Sequence, residues 1–146
     1  MSIVRAQRNR RRSTGTPAML GAGVVAALAL PATPAVASSE GCTGVSDGYT
    51  CFQIHGHRTH VEEFVQSRGK VSTQTPVNCN YYAVFTVEKD GQIIWQDRSE
   101  AHDGCFYSPR VSRTLAVNLD FPRGSKACGS WYSDGSRIGT ACNRIF

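Results

Sequence analysis

The chain has 146 residues, with 16 Lys+Arg against 11 Asp+Glu and a formal net charge of +5. All of that excess lies in the first 37 residues, which carry Arg5, Arg8, Arg10, Arg11 and Arg12 and no acid; the remaining 109 residues hold equal numbers of bases and acids. A balanced stretch of that length leaves room for one domain and excludes a strongly basic nucleic-acid binder.

Residues 1–37 have the organisation of a secretory signal peptide. The arginines at 5–12 form a positive n-region, and residues 18–30 form an apolar run. Pro31 and Pro34 end any helix, and Ala35-Val36-Ala37 supplies the small-x-small pattern that predicts cleavage before Ser38. The apolar run is shorter than the roughly 18–20 residues that span a membrane, so no anchor is expected in the mature chain. Ser13-Thr14-Gly15 after Arg11-Arg12 favours general export over a twin-arginine route. Ser39-Glu40-Gly41 before Cys42 is not a lipoprotein box. The expected product, residues 38–146, is secreted and extracellular.

Six cysteines, Cys42, Cys51, Cys79, Cys105, Cys128 and Cys142, all fall in that product. An even count in a small exported chain predicts a disulfide framework. The turns select among the pairings. Asp47-Gly48 lies midway between Cys42 and Cys51, Asp90-Gly91 near the midpoint of Cys79 and Cys105, and Asp134-Gly135 at that of Cys128 and Cys142. Asp-Gly is a strong hairpin signal because glycine takes a positive φ at little cost. Each reversal brings its flanking cysteines face to face, which predicts Cys42–Cys51, Cys79–Cys105 and Cys128–Cys142. No Cys-x-x-Cys is present, so a thiolate metal site is not expected.

In chain order, residues 38–48 are small and polar and read as a loop tied down by the first bridge. Strand patterns follow at 49–54 and 59–65. Residues 79–88 alternate most clearly, with Tyr81, Ala83, Phe85 and Val87 on one face, and Asp90-Gly91 leads to a strand at 92–97. Residues 111–121 place Leu115, Val117, Leu119 and Phe121 on one face, and 126–133 with 137–145 form a last hairpin. About seven short strands with turns between them and no convincing helix predict a single all-β domain, an antiparallel β-sandwich of immunoglobulin or fibronectin type III form. Its expected core is Phe52, Ile54, Val61, Phe85, Val87, Trp95, Leu115, Val117, Leu119, Trp131 and Ile138.

Several segments carry a resemblance. Cys51-Phe52-Gln53-Ile54-His55-Gly56, the Gly56-to-Val65 segment, the stretch from Gly124 to Trp131 with its Gly turn before Cys128, and Thr140-Ala141-Cys142-Asn143-Arg144-Ile145 resemble the strands of small secreted actinobacterial proteins of immunoglobulin-like or fibronectin-like form. Most of that group carries fewer cysteines, so the Cys79–Cys105 bridge departs from its pattern. The likeness implies a sandwich with bridges and no particular activity.

The residues that carry chemistry are few. His55, His57 and His60 lie close enough in sequence to be weak metal candidates, although Arg58 between them opposes a cation. His102-Asp103-Gly104-Cys105 resembles the His-Asp segment of secreted phospholipases, in which the pair serves a calcium-dependent hydrolysis. It lacks the helix, the partner cysteine and the calcium loop of those enzymes. No serine lies in Gly-x-Ser-x-Gly. Arg110, Arg113, Arg123, Lys126 and Arg137 read as a solvated face. The aromatic set Tyr81, Tyr82, Phe106, Tyr107, Trp131 and Tyr132 is the candidate binding surface, since alternate members of tandem pairs on strands must face outward. The leading expectation is a non-enzymatic extracellular binding or structural protein with no cofactor. Its partner would be an extracellular macromolecule, protein or cell-envelope component rather than a nucleic acid. The alternatives are a secreted inhibitor or antimicrobial factor presenting the segment 97–109, and a small calcium-dependent hydrolase using His102 and Asp103.

Overall fold

The computed structural model describes residues 39–71 and 77–146, and the predicted leader lies outside the described residues. Nine strands follow one another: β1 (Ser39–Val45), β2 (Gly48–His57), β3 (His60–Lys70), β4 (Val77–Lys89), β5 (Gln92–Arg98), β6 (His102–Tyr107), β7 (Arg110–Asp120), β8 (Lys126–Ser133) and β9 (Ser136–Arg144). They form two antiparallel sheets packed face to face as an all-β sandwich. One has the order β1-β2-β3-β7. The other has the order β5-β4-β8-β9, with β6 continuing along the same edge of β4 that β5 occupies.

Local turn chemistry explains the hairpins. Asp90-Gly91 and Asp134-Gly135 are two-residue loops with both φ values positive, 52° and 80° in the first and 47° and 75° in the second. This geometry matches the twist of the flanking strands. The first reversal sits one residue earlier than expected, since Val45 pairs with Gly48 and the loop is Ser46-Asp47.

All three expected bridges are present, and each joins directly opposed residues of neighbouring strands: Cys42–Cys51, Cys79–Cys105 and Cys128–Cys142. None links one sheet to the other. The middle bridge is reached by a route the turn alone does not give. A straight register from Asp90-Gly91 would set His102 opposite Cys79; the bulges at Val87/Glu88 and Cys79/Tyr81 each advance the far strand by one residue, and the break between β5 and β6 adds the third, so that Cys105 arrives there.

Two strands exceed the expected seven. Residues 39–45, expected as loop, form β1, and the segment expected as a loop around Cys105 forms β6. Both are edge strands and both are mostly exposed. Neither has an apolar face to bury, so neither shows the period-two pattern; backbone pairing and a disulfide hold each in place.

The interior divides into two regions. Phe64 is fully buried, and its ring lies 5.3–6.2 Å from those of Phe52, Phe85, Trp95 and Phe121. Around them pack Ile54, Val61, Ala83, Val87, Ala127, Ala141 and Ile145. Full burial of each large side chain contributes about 1.5–3 kcal/mol. Toward the other end Tyr81, Val111 and Trp131 form a smaller cluster with Ile138. Here β3 turns Gln66 and Arg68 inward, 0% and 3% exposed. Gln66 pairs across the strands with Arg113, whose guanidinium lies 4.7 Å from the Tyr81 ring centre. Arg113 is thus no part of a solvated face.

The expected core is correct at Phe52, Ile54, Val61, Phe85, Val87 and Trp131, with Trp95, Leu115, Val117 and Ile138 partly buried against it. Leu119 is 43% exposed, contrary to expectation. Asn118 adopts φ 50° and the β3–β7 register shifts between Val61 and Glu63, so the alternation of β7 breaks one residue before Leu119.

Candidate binding surface

The aromatic set separates by strand alternation. Tyr81 and Trp131 point inward, 5% and 0% exposed, and stack 5.1 Å apart. They are core residues and not part of a contact surface, a correction to the sequence expectation. Their neighbours Tyr82 and Tyr132 point outward. These two are direct cross-strand partners on β4 and β8, and their rings lie 5.0 Å apart and 3° from parallel. Arg98 of β5 lies 5.8 Å over the Tyr82 ring, and Arg137 of β9 pairs with Tyr132 on the far side. An Arg–Tyr–Tyr–Arg row therefore crosses four strands of one sheet face. Neither arginine has an acidic partner among the described residues.

Phe106 and Tyr107 of β6 are 49% and 67% exposed and stand at the margin of the same sheet. Their position depends on Asn80, which sequence reasoning did not single out. Asn80 sits at φ 43° and reverses the alternation of β4, so that Asn78 is buried and Cys79 meets Cys105. Its side-chain carbonyl accepts from the Gly104 amide at 2.8 Å, and its amide donates to Asp134 at 2.8 Å. Ser133 Oγ donates to the Cys79 carbonyl at 2.7 Å. These bonds and the bridge fasten β6 and the β8–β9 turn to the end of β4. The signal available in the sequence was Asn beside Cys, since asparagine tolerates the left-handed region better than most residues.

The remaining candidates do not assemble. The His57 and His60 rings lie 5.5 Å apart and tilted by 41°, but their nitrogens face acids: His57 lies 3.9 Å from Glu62 and His60 3.3 Å from Asp120. The extra residue of the bulge opposite His55/Gly56 is Glu62 on β3, so β2 keeps its alternation, with Ile54 and Gly56 buried and His55 and His57 on the outer face. Among the described residues the group of ligand atoms close enough for an ion is Glu40, Cys42 and Cys51, and both cysteines are consumed in a disulfide. His102 and Asp103 are consecutive residues of β6, so their side chains leave opposite faces. The His102 ring stacks on Tyr81 at 4.8 Å. The segment 97–109, expected to present a loop to a target, is largely strand laid along β4.

Fold and surface together define a disulfide-braced all-β sandwich of an oxidising compartment, with one outward aromatic row. No family model, curated protein or solved structure matches the chain.

Proposed function

We propose that this protein is a secreted, non-enzymatic binding module whose contact surface is the outer face of the β5-β4-β8-β9 sheet. The observation that carries this reading is the parallel Tyr82–Tyr132 pair set between Arg98 and Arg137. Tyrosine offers a broad amphipathic surface at low conformational cost, and arginine adds directed donors, which is why both concentrate at recognition surfaces. Phe106 and Tyr107 extend that surface at its edge. The three bridges support the reading by holding the platform rigid, since preorganisation lowers the entropic cost of association.

The arrangement supports an immunoglobulin or fibronectin type III kinship within the sandwich class. β2-β3-β7 and β4-β8-β9 follow the strand orders A-B-E and C-F-G. Departures are the extra β1, the edge pair β5 and β6 in place of strand D, and bridges that stay within sheets. The partner is taken to be an extracellular protein or a cell-envelope polymer. Co-sedimentation of the oxidised protein with isolated envelope polymers, beside a binding screen against secreted proteins, tests the assignment. Wild type is retained and the Tyr82→Ala/Tyr132→Ala variant is released, with unchanged circular dichroism. Equal retention of both proteins overturns the surface assignment. Turnover of an ester, peptide or glycan that a single substitution abolishes overturns the non-enzymatic reading.

A further inference from the structure

The β8–β9 ladder runs from the turn beside Tyr132 to the Lys126–Arg144 pair, and a second feature lies at that far end. There the β2–β3 turn and the end of β9 enclose a cleft of about 170 Å³. Its floor is apolar: Ile54 and Ile145 are 5% and 2% exposed. Gly56 leaves the floor bare. Its φ of 154° disfavours a side chain, and a Cβ there would lie 2.1 Å from the His60 carbonyl oxygen. The walls are Arg58, His60 and Arg144.

The charges on these walls are not equivalent. His60 already faces Asp120 at 3.3 Å. Arg58 and Arg144 have no acidic partner among the described residues, and Arg144 makes only a long 3.4 Å bond to the Gly124 carbonyl. Arg58 also stands at φ 54° in the two-residue Arg58-Thr59 turn. Asparagine or glycine fits that position better, and a larger side chain is strained there. Strain of this kind concentrates where a side chain is needed for a ligand, and what arginine adds to the turn is a guanidinium at the cleft mouth.

We propose that this cleft binds a small monocarboxylate whose body is a single ring or a short branched chain. The carboxylate meets the guanidiniums of Arg58 and Arg144, whose planar donors suit it, and the body lies on Ile54 and Ile145. The volume sets the size, since a cavity of about 150 Å³ accommodates benzene. Asp120 beside His60 repels a second negative charge, which disfavours phosphate esters and dicarboxylates. The site is separate from the tyrosine row and does not depend on it.

Benzoate is the probe, with benzamide as its neutral isostere, titrated into the ¹⁵N-labelled, fully oxidised protein. Saturable shifts of the Ile54, Gly56, His60 and Ile145 amides are expected, with benzoate bound at least about tenfold more tightly than benzamide. Arg58→Asn keeps a residue suited to the turn, and Arg144→Gln removes only the second charge. Each weakens benzoate about tenfold and leaves benzamide unchanged, while the rest of the spectrum superimposes on wild type. Absence of saturation by about 10 mM benzoate overturns the proposal, as does equal affinity for the two probes or benzoate binding that survives both substitutions.

Discussion

Asp47→Ala is expected to destabilise the fold through a residue that is not itself changed. Asp47 sits in the β1–β2 turn and accepts a hydrogen bond from Arg68 Nη2, with Lys70 Nζ 3.8 Å away. The Arg68 side chain is 3% exposed and Asp47 48%. Among the described residues Arg68 Nε and Nη1 have no hydrogen-bond partner, and Asp47 is the acidic group that the guanidinium meets. Breaking a fully buried ion pair from one side costs roughly 3–5 kcal/mol. Water reaches the exposed carboxylate end of this pair, which discounts the loss to about 1.5–3 kcal/mol. Arg68→Met removes the charge and keeps an unbranched side chain of similar length, so it costs no more than about 1 kcal/mol. The double variant then matches Arg68→Met within about 0.5 kcal/mol. Acidity gives a second readout. Burial alone would push the Asp47 carboxyl up, but the Arg68 hydrogen bond and charge, with Lys70, outweigh it and hold the group below its ordinary value. A depressed carboxylate stabilises the fold above its unfolded-state pKa and loses that contribution as pH falls through the folded value. Urea unfolding followed by Trp95 and Trp131 fluorescence at neutral pH and below about pH 3 measures both effects. The gap between wild type and Asp47→Ala narrows in acid. If Arg68→Met were as damaging as Asp47→Ala, or if the gap were the same at both pH values, the reasoning would be refuted.

Other outcomes follow from the same packing. Phe64→Ala removes the ring that touches four others and costs about 3–5 kcal/mol in urea unfolding. Leu119→Ser changes stability by less than about 0.5 kcal/mol, whereas Phe121→Ala, 6% exposed before substitution, costs about 3 kcal/mol or more; equal losses would mean that β7 keeps its alternation through Asn118. Replacing Cys79 and Cys105 with serine opens a loop with a sequence separation of 26 and costs about 3–4 kcal/mol. Hydrogen exchange should then lose protection along β6 while the β4–β8 ladder keeps it, and uniform loss across both would contradict an edge role for β6.

How much of this was legible in the sequence depends on the range of the interaction. The Asp-Gly turns were readable because the backbone conformation they permit is local. Once Asp134-Gly135 reverses the chain, Cys128 and Cys142 must meet, and the first pair meets although its loop is Ser46-Asp47. The alternation at Tyr81, Ala83, Phe85 and Val87 was equally plain, since one face of β4 is buried along that whole stretch. For the candidate surface, alternation showed that one of each tandem aromatic pair faces outward. It did not show that Tyr82 and Tyr132, 50 positions apart in the chain, are opposite each other, because that follows from the pairing of β4 with β8.

By itself, the sequence determined the all-β class, the Asp-Gly hairpins and the Cys42–Cys51 and Cys128–Cys142 pairs, because turn conformation, period-two burial and short loop closure act over a few residues. Only the tertiary structure decided the rest. Bulges near Asn80 and Asn118 chose which residues face inward, and neighbouring strands drew β1 and β6 into the sheets. The space between the sheets placed Gln66 and Arg68 in the interior. These outcomes rest on register between distant strands, where a shift of one residue moves a side chain from core to solvent.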